Sequence, residues 1–165
     1  MAKQIPQLSY YDTRWKHFFR VEKQALLSII PNHIKAHIIH IGSTAVDGMV
    51  ARPIIDIVIG IENPLDVYTV KDVLMFNKYA FYTKRSSLDD IVFYKQSVNG
   101  AEYVLHLTKY NGETYQSMLK MVKTLLKNKE LAQRYSNVKL QLIDAGADLL
   151  MYAKIKRKFI RENIM

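Results

Sequence analysis

Asn99-Gly100 is the strongest local constraint in the chain, because both residues tolerate positive φ and the pair is the strongest short-range signal for a tight antiparallel hairpin. It separates two runs rich in β-formers, Ile91 to Val98 and Ala101 to Thr108, and so commits the middle of the chain to antiparallel sheet. A two-residue turn places Val98 opposite Ala101, Ser97 opposite Glu102, Lys95 opposite Val104 and Phe93 opposite His106. Lys95, Ser97, Glu102 and His106 are then expected on one face of the sheet.

Helical and strand periodicities alternate on either side of this hairpin. Trp15, Phe18, Phe19, Leu26 and Ile29 recur at helical spacing behind a cap at Asp12 or Thr13, and Pro31 ends the helix. Ala36 to Ile41 and Ile54 to Ile61 read as strands, with the turn-forming segment Gly42 to Gly48 and a short helix between them. Asn63-Pro64 starts a helix that runs to about Asn77, Tyr79 to Thr83 reads as a short strand, and Lys84 to Asp90 as a polar loop. From Glu113 the period is 3.6, with Tyr115, Met118, Leu119, Val122, Leu125 and Leu126 on one face of a helix ending near Asn128. A brief helix over Lys129 to Tyr135 and a long one from Asn137 to Arg161 follow. This order predicts an α+β fold with a mixed, mainly antiparallel sheet flanked by helices and a C-terminal helical segment. At 165 residues without repeats or linkers, residues 1–165 are expected to form one domain.

Composition narrows the chemistry. No cysteine is present, which excludes disulfides, thiol catalysis and thiolate metal sites, leaving His and carboxylate ligands. The first twelve residues contain no apolar signal core, and the longest nearly apolar stretch, Pro53 to Ile61, is far short of the roughly 20 residues of a membrane span. A cytoplasmic protein without a membrane partner is the expectation. Net charge is +9, and residues 83–165 carry 15 basic against 8 acidic side chains. That field favours an acidic partner such as a nucleotide or another phosphorylated small molecule. Nucleic acid is a third possibility resting on charge alone. It is not favoured, since Tyr152 and Phe159 suit a helix core better than a stacking platform. The basic cluster Lys154, Lys156, Arg157, Lys158 and Arg161 reads as a solvated helix end.

One segment carries chemical information. Gly42-Ser43 after a strand permits a tight turn and a close backbone approach to a phosphate, with the Ser hydroxyl as donor. Asp56 then interrupts the apolar run Ile54-Ile55-Asp56-Ile57-Val58-Ile59, where a carboxylate is costly unless it serves a metal or is paired, for instance with Arg52. His37 and His40 lie three apart, hence on opposite strand faces, and do not form a two-His metal site.

The run from His40-Ile41-Gly42-Ser43-Thr44-Ala45-Val46-Asp47-Gly48 through Arg52-Pro53-Ile54-Ile55-Asp56 resembles the signature of the GrpB family, whose members are similar to minimal bacterial nucleotidyltransferases. Tyr11, Asp12 and Trp15 at the start, Leu105-His106 at the end of the hairpin, and Tyr152, Lys156, Phe159 and Ile160 at the close extend the resemblance. It departs from the usual pattern at Asp47, at Arg52 and at Val104, where a second histidine is common. The resemblance implies a cleft with Asp56 and His106 as catalytic residues and His40, Gly42, Ser43, Arg52, Arg85 and Lys95 contacting a phosphorylated ligand. It also implies Mg²⁺ on Asp56, with Val58 standing where the second acid of a two-metal site belongs and Glu102 as the hairpin carboxylate placed to act as the third. A Mg-dependent nucleotidyltransferase is one expectation. The other is a non-catalytic or accessory module that uses its basic surface on an acidic partner, as in family members fused to dephospho-coenzyme A kinase.

Overall fold

The computed structural model describes residues 5–98 and 100–165. Five strands form one sheet: β1 (Ala36–Ile41), β2 (Ile54–Ile61), β3 (Ala80–Phe81), β4 (Ile91–Gln96) and β5 (Glu102–Lys109). Their order is β1-β2-β5-β4-β3, and only the central β2–β5 pair is parallel. Helices α1 (Arg14–Ile29) and α2 (Asp66–Phe76) cover one face, while α3 (Glu113–Lys127), α4 (Lys129–Asp144) and α5 (Leu149–Asn163) gather on the other. The architecture is the α+β arrangement of a mainly antiparallel sheet that the element order implies.

Burial on both faces explains the composition of β2. Ile55, Ile57, Ile59 and Ile61 point into the layer of α1 and α2 with Leu26, Leu74, Phe93 and Leu105, whereas Val58 enters the layer of α3 and α4 with Tyr115 and Tyr135. A strand covered on both sides loses the polar alternation of a half-exposed one, and each buried Ile contributes about 1.5–3 kcal/mol. On the α3 face, the ring of Tyr115 lies against Gly60, where an added Cβ falls 2.5 Å from Cε2. The sheet and α3 are thus in contact through a backbone that carries no side chain.

The hairpin differs from expectation by one residue. Ser97 N–H donates to the Ala101 carbonyl at 2.8 Å, and Lys95 faces Tyr103, Phe93 faces Leu105 and Val92 faces His106. Asn99 lies outside the described residues; Gly100 has φ +83°. A loop one residue longer than a two-residue turn slips the register by one, and a one-residue slip sends alternate side chains to the other face. Lys95 therefore belongs with Tyr103, Leu105 and Ile57, and Glu102 and His106 belong with Asp56 and Val58.

The C-terminal helices also break elsewhere than expected. α4 runs unbroken from Lys129 to Asp144, and the chain turns at Gly146, with φ +68°, before Asp148 caps α5 by accepting from the Met151 N–H at 2.8 Å. Glycine in the left-handed region followed by an Asp N-cap is a helix stop and a helix start in succession. Among the described residues, no helix is long and apolar enough to cross a membrane.

Candidate anion-binding cavity

The segment after β1 is folded as a supported ledge. Gly42 has φ +74° and ψ −173°, a conformation essentially reserved for glycine, and an added Cβ here meets Asp56 Oδ2 at 2.5 Å. The Asp56 carboxylate therefore lies directly over the backbone of Gly42. Residues 43–45 form a single 3₁₀ turn closed by Ala45 N–H to the Gly42 carbonyl at 3.3 Å. Beneath it, the Thr44 hydroxyl donates to the Ile54 carbonyl at 3.1 Å, so His40 Nε2, 3.0 Å from Thr44 Oγ1, must carry the proton and donate. The His40 ring is stacked on Phe19 with centroids 4.9 Å apart, and burial, with Lys16 nearby, holds its pKa down at about 4. It braces the turn from the α1 side.

Above the ledge is a cavity of about 560 Å³. Gly42, Ser43, Arg52 and Asp56 form its floor, Arg85 and His106 one side, and α3 and α5 the other, through Met118, Met121, Tyr152, Lys156, Arg157 and Ile160. Four cationic side chains converge on it, while among the described residues Asp56 is the one carboxylate in its lining. Asp56 makes no ion pair with Arg52 within 4 Å among the described residues, so the structural pairing weighed from sequence is not what holds it. His106 sits on the same face as Asp56, since Asp56 is level with Val104 and Val58 with His106. Its Nδ1 meets both oxygens of Asp90 at 2.9 Å, an arrangement that fixes the ring and leaves Nε2 without a hydrogen-bond partner among the described residues.

Of the residues expected at the site, Gly42, Ser43, Arg52, Asp56, Arg85 and His106 line this cavity together. The others are placed elsewhere. Lys95 lies on the opposite face of the sheet, 2.9 Å from the buried Glu22 carboxylate and 4.7 Å above the Tyr79 ring. His40 also points to that face. Glu102 borders a separate groove with Asp12, Arg14 and Pro53 and hydrogen bonds with Tyr94, whose hydroxyl pKa is raised by burial and by that carboxylate. Among the described residues, no three His, Asp or Glu side chains gather as a metal site.

Sequence reasoning missed the contribution of the C-terminal helices. Of the basic cluster, Lys154, Lys158 and Arg161 are exposed at the helix end, but Lys156 and the exposed Arg157 line the cavity beside Tyr152, and burial, followed by repulsion from Arg52, lowers Lys156 to about 8. Lys139 of α4 is 1% exposed, donates to Ser43 Oγ at 3.2 Å and to the Val50 carbonyl, and is lowered to about 7 by burial and by the charge of Lys156. Its signal was present: Leu131, Ala132, Tyr135, Ser136 and Lys139 make one buried stripe of α4, with a lysine at an apolar position. Breaking the helix at Ser136 hides that stripe.

The profile of the GrpB protein family matches residues 6–165. The chain belongs to the GrpB family. It is 26% identical over 157 residues to the glutamate-rich protein GrpB of Alkalihalophilus pseudofirmus, a match that covers 92% of this chain and 90% of that protein. Glutamate-richness does not extend here, for this chain holds only six glutamates and is strongly basic. In fold it is similar to the crystal structure of the conserved protein GrpB from Enterococcus faecalis, at a TM-score of 0.74 and 22% identity, covering 94% of this chain and 98% of that one.

Proposed function

We propose that this GrpB-family chain binds a phosphorylated small molecule, with a nucleotide as the simplest candidate, in the cavity over Gly42 and Ser43. The observation that carries the reading is the convergence of Arg52, Arg85, Lys156 and Arg157 on a serine-bearing ledge with a single carboxylate. Cations grouped around one cavity match a polyanion, and guanidinium groups match phosphate oxygens in pairs. The apolar side chains of Met118, Met121, Tyr152 and Ile160 leave room for a ring or an acyl portion beside the phosphates.

Asp56 alone supplies too few ligands for a protein-held ion, but Mg²⁺ commonly binds through one carboxylate together with substrate phosphates. In this reading Asp56 is its protein ligand, and the ion screens phosphate charge when it arrives with the ligand. His106, oriented by Asp90, offers Nε2 as a proton donor or acceptor toward the bound molecule. A second reading, an accessory module without catalysis, is favoured by one observation: Val58 is fully buried where a paired acid belongs.

Titration calorimetry of ATP and tripolyphosphate with and without Mg²⁺ tests the proposal. Ser43→Ala is expected to weaken binding about tenfold in either condition, as the loss of one hydrogen bond to a charged group does. Asp56→Asn is expected to remove only the part that depends on Mg²⁺. If neither compound binds the wild-type protein, the cavity is not a phosphate site.

A further inference from the structure

Lysine is almost never fully buried unless it is paired with an acid, yet Lys139 is 1% exposed and forms no ion pair among the described residues. Its Nζ instead meets two neutral oxygens, Ser43 Oγ and the Val50 carbonyl, and the face of the Tyr135 ring at 4.6 Å. We propose that Lys139 is a positioning residue for the anion site: it donates to the Ser43 oxygen from behind, so that the hydroxyl proton is free to point into the cavity and be donated to a phosphate there. The inference rests on the phosphate reading of the cavity.

A simple clip for the loop explains less. The Val50 N–H already donates to Ser136 Oγ at 3.3 Å, so α4 anchors that end of the loop without Lys139. The reach to Ser43, at the other end of the same loop, is what the lysine adds. Ser43 Oγ has one proton and accepts readily; with a donor fixed behind it, the proton is available to the side that the cavity occupies. The surroundings of the amine also lack a counterion. The groups that act on it are Lys156 from α5, whose charge lowers its pKa, and the Tyr135 ring from its own helix, and neither is an anion. A phosphate above Ser43 supplies the missing negative charge through the hydroxyl.

That coupling gives Lys139 a signature that loop-holding lacks. The amine titrates near 7 in the free protein, and an anion nearby raises its pKa. Binding strength due to Lys139 is then complete below pH 7 and fades as pH rises past it.

The test is calorimetric titration of sodium tripolyphosphate into wild type and Lys139→Met from pH 6 to 9, with thermal melts confirming the fold. Taking the ratio of the two affinities at each pH cancels the titration of the probe itself. Wild type is expected to bind about tenfold more tightly at pH 6, with the ratio falling toward pH 9 as the amine loses its charge but keeps its N–H donors. At pH 6, where the lysine contributes fully, adding Ser43→Ala to Lys139→Met is expected to cost nothing further, because the two act as one device. A ratio that is one throughout, a ratio that does not change with pH, or additive losses in the double variant overturns the inference and leaves the phosphate reading standing. Absence of binding by wild type overturns both. If Lys139→Met does not fold, Lys139→Gln, which keeps a donor for Val50, is put through the same comparison.

Discussion

Gly42 is fixed by two demands that act at the same atom. Its φ of +74° with ψ near 180° is the region that side chains cannot enter without strain, and the space a Cβ needs is occupied by the Asp56 carboxylate. Gly42→Ala is therefore expected to cost about 2 kcal/mol or more in urea unfolding. Gly48→Ala and Gly146→Ala, also at positive φ but with nothing within 4 Å of the added methyl, are expected to cost only about 1 kcal/mol. Equal losses at the three positions contradict the crowding at Asp56. His40 makes a different demand on the solvent. With a folded pKa of about 4 against 6.5 for the free side chain, the folded state holds His40 neutral where the unfolded chain takes up a proton. Stability due to this residue is complete above pH 6.5 and is lost as pH falls toward 4, by roughly 3 kcal/mol in all. His40→Gln keeps an N–H for Thr44 without titrating, so its unfolding free energy should fall less between pH 7 and 4 than that of wild type.

Elements differ in how plainly the sequence announces them, and the reason lies in what sets each boundary. Pro31 and the Ile-rich runs mark α1, β1 and β2 at the expected residues, because local chemistry and burial agree there. The Gly42-Ser43 ledge and Asp56 were equally legible, since a turn former after a strand and a charge inside an apolar strand are both local departures from pattern. Register is not local. Asn99-Gly100 announces a hairpin, but whether its loop holds two residues or one more decides which side of the sheet receives Lys95, and that is settled by packing of Phe93 and Leu105 in the core. Helix ends that meet the site were illegible for a related reason. Lys139, Lys156 and Arg157 look like surface residues in a basic stretch, and only the antiparallel return of α4 and α5 over the sheet turns some of them inward. A single lysine on an otherwise apolar stripe is the trace such a residue leaves.

At the scale of the whole molecule, the cavity occupies the seam between the sheet and α5. Little of α5 is fully buried: Tyr152 is, and Phe159 stacks on Tyr135 at 5.0 Å, but Leu150 and Met151 are exposed. A ligand contacting Lys156 and Arg157 joins α5 to the ledge, so amide hydrogen exchange in residues 149–163 is expected to slow severalfold with saturating tripolyphosphate. Exchange in α1 and α2, on the far side of the sheet, is expected to stay the same. Uniform slowing, or none in α5, removes the C-terminal helix from the binding site. The same seam shapes the molecule when no anion is there. Arg52 and Arg85 lie close enough to Lys156 to lower its pKa, and that repulsion works against the packing that holds α5 down. On the phosphate reading, ionic strength is expected to act with opposite signs on two properties of one molecule: salt loosens the grip on an anion and, by quieting that repulsion, tightens the fold around its place.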